Sequence, residues 1–145
     1  MTRKLSRFAL VNLENLLTKH GIVDMMFRHT LTNYVVYGIS PYSYDRPEFL
    51  RCKFITDVLA NDMFAVRRLA KWRTIIGEVH NLFNFVADLP KEMHGSYEKI
   101  DVWCTQSDKY RMRVLEKHKL LLTEKEEIVY ALKYKRDYDR LVESW

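Results

Sequence analysis

Four cations fall close together in the stretch FAVRRLAKWR: Arg67, Arg68, Lys71 and Arg73. On a helix Arg67 and Lys71 are four apart and Arg68 and Lys71 three apart, so they share a face. Cations in the opening turns of a helix oppose its dipole. Local stability therefore does not explain them, whereas contact with phosphates would. The plainer alternative is that their stems flank and cover an apolar seam. Arg3, Lys4 and Arg7 form a second basic group, which reinforces the first if the two lie side by side. A third group, Lys109, Arg111, Arg113, Lys117 and Lys119, is diluted by Asp108 and Glu116 and reads as a solvated helix face. Tyr42 and Tyr44 could stack on bases. Trp72 could too, but it falls on an apolar stripe and reads as core.

Other chemistry is missing from the pattern. Four scattered glycines make no phosphate-binding loop. Histidines 20, 29, 80, 94 and 118 have no metal-ligand spacing with each other or with the cysteines. There is no nucleophile elbow and no His-Glu-x-x-His helix. Glu14, Asp24 and Glu78 would need measured geometry before any pair counted as acid and base. The expectation is no metal and no cofactor.

The charge supports the emphasis on cations. Of a net +5, residues 1–73 hold 12 Lys/Arg against 6 Asp/Glu, and residues 74–145 hold 12 against 13. The excess lies in the first half, which favours an anionic partner. The 145 residues suit one domain over 1–145, with 48% apolar and 30% charged side chains. No run approaches the length of a bilayer span, so no membrane is expected. Cys52 and Cys104 suit a reducing compartment, with a single bridge left open. A cytoplasmic location follows from that.

Helices must position these residues, since four glycines and three prolines leave few turns for a β fold. A first helix is predicted from Lys4 to His20, ended by Gly21. Asp24 would cap a second to Tyr37, ended by Gly38, although NYVVYGI also reads as a short strand. Asp45, Pro47 and Glu48 resemble a capped start for a helix carrying Leu50, Phe54 and Val58 to about Asn61. The longest helix would run from Met63 to Ala87, with Leu69, Trp72, Ile76, Val79, Phe83 and Val86 as a buried seam. Residues 91–104 read as a long loop. A helix from Ser107 to Leu122 follows. Thr123 and Glu126 then form a capping box for a last helix with Ile128, Leu132, Tyr138, Leu141 and Trp145 on one face. The predicted fold is mainly α, a single compact irregular bundle of five to six helices.

Three short segments resemble the phage pyrimidine-dimer DNA glycosylase (endonuclease V) family: MTR at Met1 to Arg3, YDRPEFLR at Tyr44 to Arg51, and DLPKEMHGSY at Asp88 to Tyr97. The resemblance implies a small helical fold associated with DNA. That family attacks the sugar with the α-amine of the residue after the initiator methionine, which would be Thr2. With Met1 in place that amine is blocked. The family's arginine–glutamate pair on the first helix has no counterpart between Leu5 and Arg28, where Glu14 stands in a different context.

The residues together lead to an expectation of nucleic-acid binding, DNA more than RNA, with backbone contacts from Arg3, Lys4, Arg7, Arg67, Arg68, Lys71 and Arg73. The alternative is a helical adaptor or subunit of a larger assembly, such as a viral one. Its motive is 13% aromatic residues and six methionines, both suited to protein interfaces. A glycosylase-like repair enzyme is the third reading.

Overall fold

The computed structural model describes residues 5–41, 50–69 and 79–144. Among them are eight α-helices and no strand, more and shorter helices than the sequence predicts. They are α1 (Val11–Lys19), α2 (Met25–Tyr37), α3 (Leu50–Leu59), α4 (Met63–Leu69), α5 (Val79–Ala87), α6 (Tyr97–Thr105), α7 (Asp108–Lys117) and α8 (Glu124–Glu143). Short 3-10 turns stand at Arg7–Leu10 and Lys91–Met93. The first of these replaces the opening turns expected of a helix from Lys4. Ser6 caps it by accepting from the Phe8 N–H.

Helix α2 is central. Asp24 caps it, accepting from the N–H groups of Met26 and Phe27 at 2.9 and 3.2 Å. Phe27, Leu31, Tyr34, Val35 and Val36 are all buried. The NYVVYGI run is thus helical: surroundings that bury three consecutive side chains outweigh the β propensity of valine and tyrosine. Gly38 ends the helix at φ +65, a conformation costly for any residue with a Cβ.

The carbonyls left over at the end of α2 need partners. Trp103, fully buried on α6, donates its indole N–H to the Tyr34 carbonyl at 3.0 Å. The Tyr34 hydroxyl donates to the Met93 carbonyl at 2.6 Å, and burial pushes its ionisation far up. Arg111 donates through Nε to the Val36 carbonyl at 3.3 Å, and through its other nitrogens to the Gln106 carbonyl and the Asp108 carboxylate. Arg111 is only 4% exposed, which corrects its assignment to a solvated face. A buried cation at a helix C-terminus also complements the dipole.

The second correction concerns residues 91–104, expected as a loop. Ser96 accepts from the Lys99 N–H and starts α6, which turns Ile100 and Trp103 into the core. Helix α7 stops at Lys117, short of Leu122, and Lys119 takes φ +59 beyond it. The helix expected from Met63 to Ala87 is described only at its two ends, as α4 and α5. Its seam residues Trp72 and Ile76, the loop residues Tyr42 and Tyr44, and the Asp45-Pro47-Glu48 start lie outside the described residues. The main core gathers α1 to α7, with α4 contributing Val66 and packing on α3.

Candidate interaction surfaces

Of the seven cations expected to touch phosphate, Arg3, Lys4, Lys71 and Arg73 lie outside the described residues. Arg67 and Arg68 are exposed on the last turn of α4, and neither forms an ion pair among the described residues. Arg7 is exposed on the first 3-10 turn, with its guanidinium carbon 5.6 Å from the ring centre of Tyr134 on α8. The turn with Arg7 packs on α1 and α8, while α4 packs on α3. Among the described residues the two basic groups therefore share no main packing neighbour.

A polar cluster built on the buried Asp57 joins α3, the cap of α4 and α6. The Tyr97 hydroxyl lies 2.8 Å from Asp57 Oδ1 and 2.7 Å from Asp62 Oδ2. Its one proton can serve only one of them at a time. Asp57 is fully buried, and desolvation raises its pKa against the opposing hydrogen bond from Tyr97 and the charge of Lys53. Among the described residues its Oδ2 accepts no hydrogen bond, with the Lys53 ammonium 3.7 Å away. Asp62 is lowered by the Tyr97 hydroxyl and by the Ala65 N–H it caps. Burial thus favours the neutral form of Asp57, while hydrogen bonding favours the charged form of Asp62. Such a cluster ties three helices together. Its buried carboxyl carries no visible route to a substrate, so we read it as structural.

Beside it, a cleft of about 440 Å³ is lined by Lys91, His94 and Lys99 with Val58, Phe83 and Val86. Its cations could hold a small anion. His20 Nε2 meets the Asp88 carboxylate at 2.6 Å elsewhere on the surface. No three of the described His, Cys, Asp and Glu residues gather closely enough to hold a metal ion. Burial pushes the free half-buried Cys104 thiol up, the reverse of what a reactive thiolate needs.

Helix α8 differs from all of these. The capping box forms as read: the Glu126 N–H donates to the Thr123 hydroxyl, and the Thr123 N–H to the Glu126 carboxylate, both at 3.2 Å. Those bonds hold the Glu126 carboxyl below its ordinary value. Ahead of the cap, Leu120, Leu121 and Leu122 are buried, and the Leu122 N–H donates to the Ala9 carbonyl. After it, the Phe8 ring sits 5.6 Å from Tyr130 and 5.4 Å from Tyr134, and Ser6 hydrogen-bonds Glu127. These contacts hold the first three turns. None of the 20 residues of α8 is buried.

Known proteins offer no guide. The chain matches no family model, no curated protein and no solved structure.

The apolar face expected of the last helix is present but faces water. Ile128 is 61% exposed, Leu132 58%, and Tyr138 and Leu141 55% each. Two stripes run along α8. Glu127, Ala131 and Tyr134 turn toward Phe8 and its neighbours. Ile128, Leu132, Lys135, Asp139 and Val142 repeat at steps of four and three on another flank, all exposed. The second stripe was not singled out in the sequence, although its heptad spacing is a readable signal. No described helix is long and apolar enough to cross a membrane.

Proposed function

We propose that the protein works by docking to another protein chain, with α8 as the docking element. One observation carries this reading: a 20-residue helix that buries none of its residues yet exposes a run of apolar ones. Most of a helix's stability in a protein comes from packing one of its faces rather than from propensity. Contiguous exposed apolar surface marks an interaction site more often than an idle one. The expected adaptor or assembly role fits this surface. The test is size-exclusion chromatography of extract from the cells that make the protein, traced with an antibody. Wild type should elute above its monomer mass, and Ile128→Glu/Leu132→Glu as the monomer. Wild type eluting as a monomer rejects the reading.

A second reading keeps nucleic acid as the partner, and the exposed Arg67–Arg68 pair favours it. Binding would come from counterion release with little sequence readout. If about four to six phosphates are neutralised, the log–log slope of affinity against salt should be near −4 to −5. A slope near zero excludes it. The repair-enzyme variant of this reading requires a borohydride-trapped adduct on ultraviolet-damaged DNA, formed by protein freed of Met1.

A further inference from the structure

We infer that the partner seated on α8 is a second copy of this chain, packed antiparallel on the stripe through Leu132, Lys135, Asp139 and Val142. This rests on α8 being a docking element and adds what occupies it. The argument is charge complementarity within a heptad. The two charges inside the stripe, Lys135 and Asp139, have opposite signs and stand one turn apart. A parallel, in-register pair would set Lys135 on Lys135 and Asp139 on Asp139, and like charges at such positions select against it.

Antiparallel packing sets residue i against a residue whose number makes a fixed sum with it. Centring the pair on residue 137 puts Leu132 against the partner's Val142 and Lys135 against the partner's Asp139. Two-fold symmetry repeats both layers. Sliding by half a heptad toward the N-terminus sets Leu132 against Lys135 and Ile128 against Asp139, mixing charge with hydrocarbon. The first of these registers matches Leu132, Lys135, Asp139 and Val142 and leaves only Ile128 outside the paired layers; the second mixes charge with hydrocarbon in both of its layers. It also places Tyr138 beside its own mate near the axis, while Arg136 meets its mate on the other flank and opposes association. All five stripe residues are exposed, so nothing must unfold to free them. An interface this short is a weak one.

Sedimentation equilibrium of the full chain over a concentration series tests this. A monomer–dimer equilibrium is expected. Lys135→Glu alone and Asp139→Lys alone should each weaken it about tenfold, since each creates two like-charge layers. The double variant restores the match and should recover the wild-type constant within about threefold. Circular dichroism checks that α8 stays helical in each. In a mixture of Leu132→Cys and Val142→Cys chains, 132-to-142 disulfides should form faster than disulfides within either type. A monomeric wild type, a double variant as weak as the singles, or dominant 132-to-132 links each overturns the assignment. A chain monomeric alone that still holds a foreign protein through Ile128 and Leu132 overturns the second copy but leaves α8 as a docking element.

Discussion

Replacing Gly38 by alanine tests the junction that closes the core. Gly38 sits at φ +65, where a Cβ costs about 1–2 kcal/mol. That Cβ would lie 2.8 Å from Arg111 Nη1 and 2.9 Å from its Cζ, so something must move. The guanidinium is buried and bound to the Val36 and Gln106 carbonyls and to Asp108. Shifting it breaks at least one charged hydrogen bond, worth about 1.5–3 kcal/mol. The expected loss is therefore about 2.5–5 kcal/mol, read from urea midpoints at constant slope. Gly21→Ala is the control. It has a similar φ of +72, but its Cβ would meet only the Asn81 side-chain amide at 3.1 Å, which can swing away. It should lose only about 1–2 kcal/mol, the backbone share. In an Arg111→Ala background the cost of Gly38→Ala should fall to that same share. If Gly38→Ala costs the same with and without Arg111, the guanidinium is not pinned as described.

Three further outcomes follow from the same structure. Tyr97→Phe should cost about 1–3 kcal/mol, because it leaves the buried Asp57 carboxyl without its hydrogen-bond partner; a loss under half of that would show the bond to be replaceable. The folded-state pKa of Asp57 is raised, so its contribution is complete below the ordinary carboxylate range and is lost as pH rises through the folded value. Asp57→Asn should thus gain on wild type in denaturation midpoints as pH climbs from the acid side, and parallel curves would refute the assignment. Asp62, lowered, runs the other way, with its contribution lost as pH falls. Thr123→Ala should lower helical circular dichroism through loss of the α8 cap, worth about 1 kcal/mol locally, while the main unfolding midpoint stays put. A matching drop in that midpoint would mean that α8 supports the core.

Much of the fold was legible where local chemistry is explicit. Asp24 and Gly38 bracket α2, and the Thr123–Glu126 box starts α8, because caps and left-handed glycines act within a few residues. Helix α6 was hidden by the Pro90 and Gly95 on either side of KEMH, although Ser96 followed by Ile100 and Trp103 held the signal. Arg111 could not be read from sequence. Whether a cation is solvated or buried depends on carbonyls contributed by residues 36 and 106, far apart in the chain. The same limit applies to α8. Periodicity tells which side chains share a face, not whether another element remains to cover it. Of the expected basic site, Arg7, Arg67 and Arg68 are described, and what they meet was beyond the pattern of charges.

Native-state hydrogen exchange of the α8 amides tests the central claim most directly. In dilute protein, amides from Lys135 to Val142, beyond the turns that Phe8 and Ser6 hold, should exchange orders of magnitude faster than those of Leu31 to Val36 in α2, and should slow as an α8-binding chain is added, the protein itself included. Protection of α8 equal to that of α2 at the lowest concentration would contradict the account, since the helix would then be held by its own chain and need no partner.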